Sequence, residues 1–342
     1  MIAFFGFAGS GKTSFFQALA RSEKESYAPD KPLIEEVKLP DERLKFLAEK
    51  LESKKVTFPS LTFLDLKGAN KEEGFPPEML AQLKDARLLI YCLKEFGEDC
   101  NCSDDLESLE LELICYDLEL AEKRLSSPQE NSSVQTLLKR CQEASQNGIP
   151  LRDLEFSENE KKILCEIPFL SFKKAIILIN KEKEALSSGN RLPPLLFKPK
   201  GKEKIPIFSL SALMEKEISQ LPPPEKNEYL KKIGLAESPL IPFTKEILNS
   251  LSLITFYTAV KNEARAWLIP EKTPAIRAAG KIHTDMEKGF IRAEVLGFED
   301  FQKAGSLASA KHQNLTHSEN KEYLVRDGEI IEFLFTTRRF PN

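Results

Sequence analysis

Apolar residues follow two rhythms along this chain: short solid runs, and longer stripes spaced for helices. Met1–Phe5, Arg87–Leu93, Lys174–Ile179 and Ile205–Ser209 are runs rich in Ile, Leu and Phe, as in strands buried on both faces. Val56–Leu66 reads as one further strand. Between these lie helical stretches, Ser14–Ala20, Pro40–Lys54, Glu78–Lys84 and Glu158–Glu166. Leu44, Phe46, Leu47 and Leu51 give the second of them an apolar stripe. Strands alternating with helices at this spacing predict a mostly parallel sheet with helices on both faces.

Ser103–Leu125 breaks that rhythm. It is one strongly periodic helix with Leu106, Leu109, Leu113, Tyr116 and Leu120 on one face. Leu111, Leu118 and Leu125 extend the stripe at heptad spacing, with glutamates between. Ser126–Ser133 is a turn by composition, and Val134, Leu137, Leu138, Cys141 and Ala144 mark a second arm. The simplest outcome is an antiparallel helical hairpin inserted into the sheet domain; the alternative is a pair of ordinary packing helices. Pro222–Gly234 reads as an exposed connection with a short helix, and Ser22–Pro40 as a polar, irregular stretch suited to a flexible switch. In the tail, Ala264–Ile269, Ile291–Leu296 and Gly328–Phe335 are strand-like and Pro274–Ala279 opens a helix, which predicts a small α+β unit around Trp267.

Composition narrows the class. A chain of 342 residues, 41% hydrophobic and 30% charged, is expected to form two or three soluble globular domains. A net charge of −4 does not advertise a nucleic acid or a membrane surface, and no apolar stretch approaches the ~18 residues of a membrane span. The N-terminus has a strand pattern without a basic leader, so it is not expected to be a signal peptide. The 6 cysteines are scattered, and no histidine near the close pair Cys100 and Cys102 completes a zinc set. Reduced thiols in a cytoplasmic protein are expected.

The chemistry concentrates after the first strand. Gly6-Phe7-Ala8-Gly9-Ser10-Gly11-Lys12-Thr13 fits G-x-x-x-x-G-K-[ST], a loop whose backbone N–H groups turn inward around phosphate. Gly6, Gly9 and Gly11 supply the backbone freedom, and the helix entered at Ser14 directs its positive end at the same anion. Lys12 is expected to reach the β- and γ-phosphates and Thr13 to ligate Mg²⁺. Asp65 and Gly68 follow on the Val56–Leu66 strand, where Asp65 would stand behind the Mg²⁺ shell and the Gly68 N–H would touch a γ-phosphate. Next comes Ala69, which can hold no attacking water. Farther on, Asn180-Lys181-Glu182-Lys183 ends the Lys174–Ile179 strand, at the place where GTPases carry N-K-x-D. Lys183 offers only donors, so guanine is not selected in that way, while Asn180 can brace the phosphate loop and meet a base edge. Ser211-Ala212 resembles the turn that closes a base pocket.

Taken together, these motifs resemble the YchF or Obg-like ATPase family, over Gly6–Ala18, Pro40–Leu47, Asp65–Gly74, the hairpin, Asn180, Ser211-Ala212 and the tail. The tail is most specific: Leu253–Ala259, Arg265–Trp267, Ala278–Asp285, Lys288–Glu294 and Tyr323–Glu329 closely resemble the family's C-terminal TGS module. The resemblance implies a P-loop NTPase domain over 1–100 and 168–252, an inserted helical hairpin over 101–167, and a β-grasp, ubiquitin-like TGS domain over 253–342. It implies a monomer that binds ATP with Mg²⁺ through Gly6, Ala8, Gly9, Ser10, Gly11, Lys12, Thr13, Ser14, Asn180, Lys181, Ser211 and Ala212. It also implies association with the large ribosomal subunit or RNA through the hairpin and the TGS domain. Independently, Arg277, Lys281, His283, Lys288 and Arg292 cluster in the tail, opposed by Asp285 and Glu287, where they could meet RNA phosphates or form a solvated face.

The departures matter as much. The family's P-loop asparagine, which can help bind a monovalent cation, is Gly9 here. Its first-switch threonine has no counterpart in Tyr27–Leu33, its strand histidine, a candidate for positioning water, aligns with Tyr91, and its base-contact glutamate with Lys183. The expectation is slow ATP hydrolysis to ADP and phosphate that gates ribosome engagement, by positioning and electrostatics from Lys12, Thr13, Asp65 and Gly68. The alternatives are a nucleotide-gated ribosome- or RNA-binding factor without useful hydrolysis, or a GTPase.

Overall fold

A computed structural model of the protein describes residues 1–20, 32–97, 100–127, 131–183, 205–260 and 262–336. The stretch Tyr27–Lys31 of the expected first switch lies outside the described residues. The chain divides into two compact units, Met1–Val37 with Thr62–Phe243, and Lys38–Leu61 with Thr244–Asn342.

The first unit is built on a six-stranded sheet in the order β2-β4-β1-β5-β6-β7, with β1 Ile2–Phe5, β2 Leu33–Lys38, β4 Ser60–Asp65, β5 Leu88–Glu95, β6 Lys174–Lys181 and β7 Ile207–Leu210. The pairings of β1 with β4 and β5, of β5 with β6, and of β6 with β7 are parallel. All four residues of β1 are buried, and Phe4 stacks on Phe63 while its ring meets the edge of Phe16 from the first helix, α1 Lys12–Ala20. Three of the solid apolar runs thus become the inner strands β1, β5 and β6, with both faces covered, whereas Ile205–Ser209 becomes the half-buried edge strand β7.

The long periodic stretch forms α4 Cys102–Leu125, and the second arm forms α5 Ser132–Gln146; α2 is Glu42–Lys50 and α3 Pro77–Leu80. The alternative between hairpin and packing helix resolves along α4 itself. Leu106, Leu109 and Leu113 pack into the sheet's core, whereas Ala121, Leu120 and Leu125 pack with Leu137, Leu138 and Cys141 of α5. At the change-over, buried Asp117 accepts hydrogen bonds from the Leu170 and Ser171 N–H groups (2.6 and 2.7 Å) and from Ser171 Oγ (2.6 Å). These bonds fasten the hairpin's root to the segment that leads into β6. Burial still pushes the Asp117 carboxyl up to about 7.

One expected element is corrected. Val56–Leu66 is not one strand: β3 Lys55–Thr57 pairs with β9 Glu263–Pro270 of the second unit, and β4 begins after the break at Phe58-Pro59. Pro59 has no N–H to donate to a ladder, so a continuous strand there would lose a bond. The helix before it is shorter than Pro40–Lys54. It starts where the Asp41 carboxylate accepts from the Leu44 N–H (3.0 Å), and Leu44 and Leu47 bury against Tyr257 and Phe301 of the second unit.

The second unit carries a mixed sheet in the order β11-β10-β12-β8-β9-β3, with β8 Leu253–Val260, β10 Phe290–Leu296, β11 His317–Glu319 and β12 Ile330–Phe335. Its first long strand, β8, and its last, β12, pair in parallel, and β9 and β10 flank them antiparallel. The helix Ala275–Ile282 lays Ala275, Ala278 and Ala279 on Phe256, Ile269 and Phe333, which makes a β-grasp unit. Phe256 is the fully buried centre of that core; Trp267 is only partly buried beside it, with Arg265 over its ring. That displaces the expected role of Trp267. Two of the five basic tail residues also spend their charge locally, Arg277 on Glu287 (2.7 Å) and Arg292 on Glu294 (3.3 Å). His283 accepts the Asp285 N–H at Nδ1 (3.1 Å), a structural role.

Candidate functional site

The buried strand β1 delivers the chain to Gly6, where a Cβ would collide with the Cys92 carbonyl oxygen of β5. Only glycine allows so close an approach. Gly9 and Gly11 then take φ of 77° and 92°, and α1 begins at Lys12. The Lys12 ammonium is buried under the loop and donates to the Gly6 and Phe7 carbonyls, each at 2.8 Å. Burial lowers its pKa. Register does the next step: Phe4 pairs with Asp65, so the end of β4 arrives beside the loop. There the Thr13 hydroxyl donates to Asp65 Oδ2 at 2.7 Å, with Asp65 only 3% exposed.

The segment after Asp65 is docked on the loop. The Ala8 N–H donates to the Ala69 carbonyl (2.9 Å), and a Cβ on Gly68 would strike the Ala8 backbone and the Lys12 amine. The Ala69 side chain is buried among Phe5, Phe7 and Phe75, so nothing at that position can hold a water. Tyr91, the aligned place of a water-positioning histidine, also fails: it is fully buried in the same core, with its hydroxyl toward Arg152 and its pKa raised by burial. Strand alternation turns position 91 into the core.

Asn180 ties the loop to the other side of the cleft. Its Nδ2 donates to the Ser10 carbonyl (3.1 Å) and its Oδ1 accepts from the Ala212 N–H (3.0 Å). Ser211 caps the helix Ala212–Gln220 by accepting from Met214 N–H (3.4 Å). The amine of Lys181 is held by Glu95 (3.1 Å). A cleft of about 1020 Å³ opens over these groups. It is lined by Ala8, Gly9, Gly11, Lys12, Thr13, Ser14, Asp65 and Gly68 at one end, and by Asn180, Lys181, Ser211 and Ala212 at the other. Gly6 and Ser10, also expected at the site, are buried and do not line it.

The cleft also gathers residues that the motifs did not single out. Lys67, Phe96, Leu213, Lys216 and Glu217 all line it, and Leu213 is 63% exposed there. None of these carries a local signal in the sequence, because a singly exposed leucine such as Leu213 is ordinary on a protein surface. Lys183 proves to be bonded: its ammonium meets Glu217 Oε2 at 2.7 Å and lies over the Tyr229 ring. Tyr229 donates to the same oxygen at 2.7 Å.

Comparison with known proteins decides the family. The family described as YchF-GTPase_C, protein of unknown function (DUF933), matches residues 253–336. The "Ribosome-binding ATPase YchF" of Bacillus subtilis (strain 168) is 31% identical over 356 residues, covering 96% of this chain and 97% of that protein. The chain belongs to the YchF family. The protein of the same name from Escherichia coli O157:H7 is 30% identical, with 96% and 97% of the two chains covered. The solved structure of the Schizosaccharomyces pombe YchF GTPase superposes with a TM-score of 0.82 at 24% identity, covering 97% of each chain, a likeness of fold. The YchF fold therefore accounts for both units: a P-loop sheet domain with inserted helices, and a β-grasp unit. The relatives' names differ on the nucleotide, ATPase for the bacterial proteins and GTPase for the yeast protein.

Proposed function

We propose that this YchF-family chain binds and slowly hydrolyses ATP, and that the bound nucleotide gates engagement with the ribosome. The observation that carries the reading is the joining of buried Lys12, the Thr13–Asp65 contact and the glycine loop at one end of a single cleft. Lys12 would exchange its two carbonyl partners for β- and γ-phosphate oxygens, and the loop N–H groups would hold the phosphates. A hydroxyl and a carboxylate form a hard, oxygen-only donor set that fits Mg²⁺, so Thr13 and Asp65 would hold that ion. When bound, Mg²⁺ supplies neutralisation of charge on the β- and γ-phosphates. Gly68 would present its N–H to the γ-phosphate once 66–69 lift from Ala8.

Neither Ala69 nor Tyr91 can orient a nucleophile, which supports slow turnover and keeps a second reading, a nucleotide-gated binding factor without useful hydrolysis. Ribosome engagement is carried over from the names of the bacterial relatives, with the hairpin and the basic stretch around Lys281 and Lys288 as the surfaces assigned to it. Single-turnover hydrolysis with and without ribosomes separates the readings: phosphate release that rises with ribosomes is expected, and none in either condition leaves only the binding factor. Titration with ATP and GTP tests the base, and tighter GTP binding overturns the assignment of ATP.

A further inference from the structure

Position 183 lies two residues after β6, at the place where a base N–H would look for an acceptor, and a lysine offers none. The acceptor must come from elsewhere in the cleft. Of the lining carboxylates, Asp65 bonds Thr13 at the phosphate end, and Glu182 is exposed with no described bond that fixes it. Glu217 differs from both. It lies a turn and a half into the helix that Ser211 caps, and it is gripped at one oxygen from two directions, by Lys183 and by Tyr229 of the helix Pro223–Lys232.

We propose that Glu217 reads the 6-amino group of adenine, accepting one of its N–H bonds at Oε1 while Lys183 and Tyr229 hold Oε2. The inference rests on the nucleotide-binding reading above. Adenine presents a single amino donor beside the N1 acceptor, and the Lys183 ammonium stands next to Glu217 as the matching donor for N1. Guanine would need a carboxylate facing two adjacent N–H groups, and Glu217 has one oxygen already filled by two bonds. The grip also prepares the acceptor, because a carboxylate already held in place loses little freedom on binding. Lys183, and then Tyr229, hold its carboxyl below the usual range, so the acceptor is ionised at neutral pH. In a chain that carries Lys183 just after β6, base preference thus moves from a strand end to a helix face.

The test compares ATP with purine riboside 5′-triphosphate, which lacks only the 6-amino group. Both are titrated with Mg²⁺ into the full-length protein and into its Glu217→Ala and Glu182→Ala variants. The unaltered chain should bind ATP about tenfold more tightly, the worth of one hydrogen bond to a charged group. Glu217→Ala should erase that preference while keeping the affinity for purine riboside triphosphate, and Glu182→Ala should preserve it. Equal binding of both nucleotides by the unaltered chain overturns the role of Glu217 and leaves the nucleotide reading standing. So does a Glu217→Ala loss shared equally by both, or loss of the preference on Glu182→Ala. If neither triphosphate binds, both the reading and the inference fall.

Discussion

The two ends of the cleft are built by different means. The end proposed to take the phosphates is shaped by backbone around a few side chains: Gly9 and Gly11 in left-handed conformation, the Gly6 and Phe7 carbonyls on Lys12, and the Ala8 N–H on Ala69. The other end, where the base is proposed to sit, is made by side chains from separate segments: Phe96 after β5, Lys183 after β6, Leu213 and Glu217 on one helix and Tyr229 beyond it. A backbone site needs particular residues at fixed spacing, because φ and close approach are local properties. A side-chain site needs only that distant positions converge, so many sequences can build one. The largest effect expected follows from the first construction. Lys12→Ala removes the buried ammonium beneath the loop and should weaken ATP and GTP alike by about a hundredfold or more, read by titration. Unchanged affinity would remove the phosphate end from this cleft.

Gly68→Ala sharpens the contrast, since it adds one methyl group and removes no contact. The added carbon meets the Ala8 backbone, which cannot yield as a flexible side chain would. Overpacking of this kind typically costs about 1–3 kcal/mol, so the variant should lose between about fivefold and about a hundredfold in triphosphate affinity or hydrolysis while ADP binding changes little. An equal loss for ADP would mean that Gly68 serves the fold of the loop rather than the terminal phosphate.

The same division explains what was legible beforehand. Gly6–Thr13, Asp65 and Gly68 were readable because local spacing carries them, and the buried strands were readable as solid apolar runs. The split of β3 from β4 was announced only by Pro59, whose missing N–H outweighs an otherwise strand-like stretch. Tyr91 could be aligned but not oriented, because facing the core or the cleft depends on strand alternation within a finished sheet. Glu217 and Tyr229 were invisible: their only signal is each other, across helices that the sequence does not place. Lys183 read as an absence of the usual acceptor, and its partners turn it into part of a pair.

Asn180 is where the two constructions meet, so it is the variant most able to blur them. It is 5% exposed, and it joins the Ser10 carbonyl to the Ala212 N–H. Asn180→Ala should cost about 2 kcal/mol of stability for two lost bonds, read from thermal melts. It should weaken ATP about fivefold to tenfold with a partial loss of base preference. If base preference survives intact, the ends are independent and Asn180 is only a brace for the loop.

The gentlest test leaves the sequence alone. Two lysines at opposite ends of the cleft are displaced in opposite directions: burial lowers the Lys12 pKa, whereas Glu217, with Tyr229, raises that of Lys183. Triphosphate binding favours charged Lys12. Affinity is therefore full below the pKa of Lys12 in the free protein and falls as pH rises through it, with a limiting slope of about tenfold per pH unit. Because that pKa is lowered, the fall should begin in the interval between neutral pH and the range of an ordinary lysine. Lys183 and ionised Glu217 do not titrate in that interval, so the preference for ATP over purine riboside triphosphate should stay constant while both affinities decline together. A preference that decays in step with affinity would place base reading on Lys12's end of the cleft and dissolve the distinction between the two.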